Sequence, residues 1–111
     1  MTASVVESAR RFIENNTSRR LTLHEMAQSV GASPFELVRA FSAAHGVAPY
    51  GYSLRCRVSR ARELLAAGEA PSMAAVACGF FDQSHLNRQF KRIYGITPGA
   101  FVTSLKAATL P

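Results

Sequence analysis

At 111 residues and 48% hydrophobic content, the chain suits one compact unit or two very small ones with a packed core, not a disordered tail. Thirteen Lys and Arg against seven Asp and Glu leave a formal charge of +6, which favours nucleic acid or an anionic surface as partner. No stretch approaches the roughly 18 apolar residues of a membrane span, and the start MTASVVESARR lacks the order of a signal peptide, so the expectation is a cytoplasmic protein with no membrane partner.

Helical periodicity, capping pairs and turn residues predict seven helices and no strand. The first runs over 4–16, with Ser4 and Glu7 as a capping box and Val5, Ala9, Phe12 and Ile13 as its apolar stripe. The second runs over 23–30 behind Thr22 and Glu25. The third runs over 34–45 behind Ser33 and Glu36, with Pro34 in its first turn and Leu37, Phe41 and Ala44 facing inward. A long helix over 49–67 carries Leu54, Val58, Ala61 and Leu65. Shorter ones follow over 72–78, 83–94 (Leu86, Phe90 and Ile93 inward) and 98–107. Gly31, Gly46, Gly68, Gly79 and Gly95 fall where the periodicity stops, as helix C-caps do.

Residues 37–52 and 86–101 are one pattern written twice at an offset of 49: Leu37/Leu86, Arg39/Arg88, Phe41/Phe90, Gly46/Gly95, Val47/Ile96, Pro49/Pro98 and Tyr52/Phe101. Chance would give about one identity in such a window. Ahead of each copy stand an alanine and, four residues on, a glycine: Ala27 with Gly31 and Ala75 with Gly79. A short helix with a small residue at its packing point, a glycine turn and a second helix with Leu and Phe buried is the layout of a helix-turn-helix. The second turn is one residue longer, with room for an extra Phe81. Two arginine-bearing copies on a basic chain point to two equivalent contacts with one polyanion, with double-stranded DNA the first candidate.

The stretch GFFDQSHLNRQFKRIYGITPGAF, Gly79 to Phe101, resembles the C-terminal helix-turn-helix of the AraC/XylS-type bacterial transcription regulators. LTLHEMAQSVGASPFELVRAFSAAHGVAPYGYSLRCRVSRARELL, Leu21 to Leu65, resembles their first helix-turn-helix and connecting helix. The resemblance implies an all-α fold with subdomains at 4–48 and 68–107 joined by the helix over 49–67. It implies sequence-specific DNA binding by two recognition helices in successive major grooves, regulating transcription. A connecting helix of about 18 residues is ~27 Å long, compatible with the ~34 Å groove repeat. One chain then suffices as a monomer on an asymmetric site, and RNA polymerase is a candidate partner. Members usually carry a sensing or dimerising domain, absent here, so the chain is expected to be an excised domain or a small stand-alone member.

Helical phase leaves Gln83, Ser84, Asn87, Arg88 and Lys91 outward on the second reading helix. Arg88 can bond bidentately to guanine and Gln83 and Asn87 to adenine, with Ser84 beside them. The corresponding positions of the first are Phe35, Val38, Arg39 and Ser42, and the resemblance places groove contacts at the first three. Ser33, Arg57, Lys91 and Arg92 are the candidate phosphate contacts. Plainer readings stand beside these: Arg39 and Arg88 in structural ion pairs, Phe35 as a staple at the helix start, and His85 as a packing residue. Arg19, Arg20, Arg55, Arg57, Arg60 and Arg62 read as a solvated face, although Arg57 lies where the connecting helix could approach a phosphate.

Other classes fit poorly. Cys78 and His85 are the only pairing that suggests an enzyme, and no third member accompanies them. Cys56 and Cys78 with His24, His45 and His85 match no zinc spacing, so no metal or cofactor is expected and each thiol reads as buried and reduced. Alkyl-repair chemistry, which occurs fused to this family's fold, needs a cysteine-rich metal site. The alternative is a helical adaptor that recruits polymerase without reading DNA sequence.

Overall fold

The computed structural model describes residues 2–109, and these form seven helices with no strand among them. The helices are α1 (Thr2–Glu14), α2 (Leu23–Ser29), α3 (Pro34–His45), α4 (Pro49–Ala66), α5 (Pro71–Ala77), α6 (Gln83–Tyr94) and α7 (Pro98–Thr109). Two of the three expected capping boxes form. The Glu25 amide donates to Thr22 Oγ1 at 3.1 Å and the Glu36 amide to Ser33 Oγ at 3.1 Å, and each carboxylate reaches back to its cap amide. The third does not: α1 already runs from Thr2, which puts Ser4 inside the helix, where the amide three residues on is engaged by the backbone. Glu7 pairs instead with Arg10 and Arg11.

The chain divides between Cys56 and Arg57, within α4, into two compact units. In the first, Val6, Ala9, Ile13, Leu21, Met26, Ala27, Leu37 and Phe41 form the core, with Val5 and Phe12 packed at its margin. The inward phase of α1 is therefore 6, 9 and 13, one residue off the expected start at Val5. Ala44, expected inward, is exposed; His45 is exposed as well, with its ring centroid 4.6 Å from that of Phe41. Glu14 accepts a hydrogen bond from the Tyr52 hydroxyl and a further one from Arg10 at 2.9 Å, tying α1 to the start of α4.

In the second unit Val58, Ala61, Leu65, Ala74, Ala75, Cys78, Phe80, Leu86 and Phe90 are buried, while Leu54 of the first unit and Ile93 are only half-buried. Cys78 is buried and Cys56 half-buried, both free thiols with burial pushing their pKa up, so neither is a ready nucleophile.

The repeat in the sequence is a repeat in space within each unit. Leu37 and Leu86 are fully buried, as are Phe41 and Phe90, and each reading helix ends on a left-handed glycine, Gly46 at φ 70° and Gly95 at φ 82°. Phe41 meets Tyr52 edge-on at 5.4 Å, and Phe90 meets Phe101 at 5.7 Å. Pro49 and Pro98 are both buried at the first positions of the helices that follow.

Candidate nucleic-acid interface

With Leu37 and Phe41 fixing the inward face of α3, the opposite face presents Phe35, 69% exposed, and Arg39, with Val38 and Ser42 half-buried at the flanks. Phe35 is not folded back as a staple. Its ring lies under the Arg39 guanidinium, 5.6 Å from Cζ to centroid, as residues four apart on a helix can. The pair leaves the cation beside an apolar plate, two chemistries suited to adjacent base edges. Ser33 is exposed, and although its oxygen accepts the Glu36 amide its hydroxyl can still donate.

Helix α6 is built the same way with different surface chemistry. Asp82 caps it, its carboxylate accepting the His85 amide at 2.8 Å. Leu86 and Phe90 point inward, and Gln83, Ser84, Arg88, Lys91 and Arg92 are exposed, with Asn87 half-buried. Lys91 and Arg92 stand in the last turn, where cations also suit the helix dipole. Among the described residues the ion pairs engage Arg10, Arg11, Arg19 and Arg60, so Arg39, Arg88, Lys91 and Arg92 are held by no carboxylate. The ion-pair reading of the two repeat arginines therefore fails. His85 is the packing residue of the plainer reading: its ring meets Phe80 edge-on at 5.2 Å and its Nδ1 accepts the Phe81 amide at 3.4 Å.

Arg57 is a correction. Expected on a solvated face or approaching a phosphate, it is 1% exposed. Its Nε donates to the Cys78 carbonyl at 2.8 Å and its Nη2 to the Gly79 carbonyl at 2.6 Å, while the guanidinium lies 4.5 Å over the Phe80 ring. A fork of donors on consecutive carbonyls clamps the C-terminal end of α5 and the turn into α6, which sets where the reading helix starts. The signal was present in the sequence, since position 57 lies three from Leu54 and four from Ala61, on the flank of the inward stripe. Arg20 and Arg62 are exposed as expected, with their guanidinium groups over rings, Arg20 over Tyr50 at 5.6 Å and Arg62 over Tyr94 and Phe101 at 5.1 and 5.4 Å.

Among the described residues no helix is long and apolar enough to cross a membrane, and no three of His, Cys, Asp or Glu are arranged to hold a metal.

A helix-turn-helix domain family model matches residues 26–104. The chain is 38% identical over 96 residues to the regulatory protein Ada of Salmonella typhimurium, covering 86% of this chain and 27% of that one. It superimposes on a transcriptional regulator with an AraC-type DNA-binding domain from Chromobacterium violaceum with a TM-score of 0.85, at 28% identity and covering 91% of each chain. The DNA-binding domain of AdpA, solved in complex with a target DNA, shares the fold at a TM-score of 0.87 and 22% identity, covering 94% of this chain and 95% of that one. The chain spans only about a quarter to a little over a third of the length of the curated relatives it matches, 27% of one and 36% of another.

Proposed function

Because the chain belongs to the AraC-type helix-turn-helix family, a family of DNA-binding domains, we propose that it selects a specific duplex sequence with two unlike reading surfaces and thereby regulates transcription in the bacterial cytoplasm. In the first unit, Phe35, Val38 and Arg39 meet base edges, and in the second Gln83, Ser84, Asn87 and Arg88 do. Ser33, Lys91 and Arg92 hold phosphates, and Arg57 is withdrawn from that set. One chain carries both surfaces, so binding requires no dimer, and the site consists of two different half-elements. Contact with RNA polymerase is the step by which such binding would activate.

The observation that carries this reading is the contrast between the copies. Leu37/Leu86 and Phe41/Phe90 are buried alike, whereas the exposed residues around Arg39 and Arg88 differ. A structural duplication has no need to leave two equivalent arginines in solvent without a carboxylate. A module that reads two half-elements does.

Selecting binding sites from a random duplex library tests the reading: one asymmetric sequence should emerge, and an adaptor that does not read DNA would enrich none. Arg88→Ala should then cost ~1–3 kcal/mol and relax preference at one base pair. A loss equal on all sequences would make Arg88 a phosphate ligand.

A further inference from the structure

The two turns differ by one residue, and the structure locates the insertion. In the first unit the Ala32 amide donates to the Ala27 carbonyl at 3.1 Å, and in the second the Phe80 amide donates to the Ala75 carbonyl at 2.9 Å. Up to that point the units correspond at an offset of 48. Ser33 and Asp82, which cap the two reading helices, correspond at 49. The additional residue is therefore Phe81, between the buried Phe80 and the cap of α6.

Phe81 is 91% exposed, the most exposed of the large apolar side chains described. Its backbone is held: its amide donates to His85 Nδ1 at 3.4 Å, and the carboxylate of the next residue accepts the His85 amide at 2.8 Å. On its other side Arg57 clamps the carbonyls of Cys78 and Gly79. A single exposed apolar residue on a surface needs no explanation. An inserted phenylalanine on a turn held on both sides stands one residue ahead of the cap and two ahead of the exposed Gln83, beside the helix that the DNA-binding reading puts in the groove. The first unit also carries an exposed phenylalanine beside its cap, Phe35, so each reading helix begins next to an aromatic plate.

We infer that Phe81 is an additional DNA-contacting residue of the second unit, packing its ring against the C5-methyl group of a thymine at the edge of the half-element read by α6. The inference rests on the DNA-binding reading given above. The thymine methyl is the one apolar group that a base pair presents in the major groove, and a ring on a held turn meets it with little ordering cost. Such a contact adds affinity without releasing counterions, so it leaves the salt dependence of binding alone. Met73 and Val76 on α5 are also exposed, at 55% and 70%, but nothing in the structure says what covers them.

The test uses the full chain and the duplex that it selects from a random library. Thymines on both sides of the base pair whose preference Arg88→Ala relaxes are replaced one at a time by deoxyuridine, which removes only the methyl group. One replacement should weaken the wild type about fourfold, the burial of a single methyl group. That same replacement should have no effect in Phe81→Ala, which itself should bind roughly tenfold more weakly at an unchanged salt slope. Phe81→Leu should recover part of the loss. The inference is overturned if Phe81→Ala binds as the wild type does, if no deoxyuridine there weakens the wild type, or if each weakens both proteins equally. A selected site with a silent Phe81→Ala defeats this inference alone; the absence of any selected site defeats the DNA-binding reading and this with it.

Discussion

Replacing Arg57 separates a clamp from a phosphate contact. Arg57→Ala removes two hydrogen bonds from a charged donor to the Cys78 and Gly79 carbonyls, each worth ~1.5–3 kcal/mol, and a desolvated stacking on Phe80 worth ~2 kcal/mol. These terms share one group, and water entering the vacated space partly satisfies the carbonyls, so the expected loss is about 3–5 kcal/mol in all. At ~4 °C or more per kcal/mol for a chain of this size, the melting temperature without DNA should fall by at least ~12 °C. Hydrogen exchange should show lost protection around the turn into α6. Arg57→Lys keeps the charge but not the fork, so it should still lose ~2 kcal/mol, whereas a phosphate contact would survive that change. The clamp is refuted if Arg57→Ala melts as the wild type does while the slope of log K against log salt becomes shallower by ~0.9, the signature of one lost phosphate contact.

Replacing Lys91 and Arg92 by alanine should flatten the salt slope by ~0.9 for each phosphate contact removed, measured by titration between low and moderate salt; an unchanged slope would leave them to the helix dipole. Leu86→Ala should cost ~2–5 kcal/mol in urea denaturation without DNA, and Leu37→Ala, its equivalent in the first unit, a similar amount, since both are fully buried. Acid should destabilise the first unit through Glu14, whose carboxyl is held below the usual range by the Tyr52 hydroxyl and then by Arg10. A folded-state pKa below the unfolded one means stability that is present above the unfolded value near ~4.3 and lost as pH falls through the folded one. Melting temperature recorded from pH 7 down to pH 3 should show that fall, and Glu14→Gln should be less stable at pH 7 with a flatter acid limb. Burial, and then the same hydrogen bond, pushes the Tyr52 hydroxyl up to about 12, so no phenolate contributes near neutral pH.

Much of the reading surface is legible in the chain itself because helical phase follows from the residues that must be buried. Once Leu86 and Phe90 are placed inward, Arg88 and Lys91 have nowhere to point but out. The same logic fails for α1, where Val5 and Val6 are equally apolar and only packing against α2 and α3 makes Val6 the buried one. It fails again for Ala44, because a small apolar residue at the end of a stripe carries too little burial energy to fix a phase.

Local chemistry in the sequence determined the seven helices, the Thr22 and Ser33 capping boxes, the left-handed glycines and the duplication, since each depends on groups a few residues apart; the Ser4 box failed and the Asp82 cap went unread. The family resemblance rested on those same residues. Only the tertiary structure decided the fate of the charges and of the inserted residue. Whether Arg57 meets a phosphate or a carbonyl depends on Cys78 and Gly79, more than twenty residues away in the chain, and on the burial that makes two unpaired carbonyls costly. Whether the longer turn hides or displays Phe81 depends on how that clamp and the Asp82 cap take up the extra residue between them.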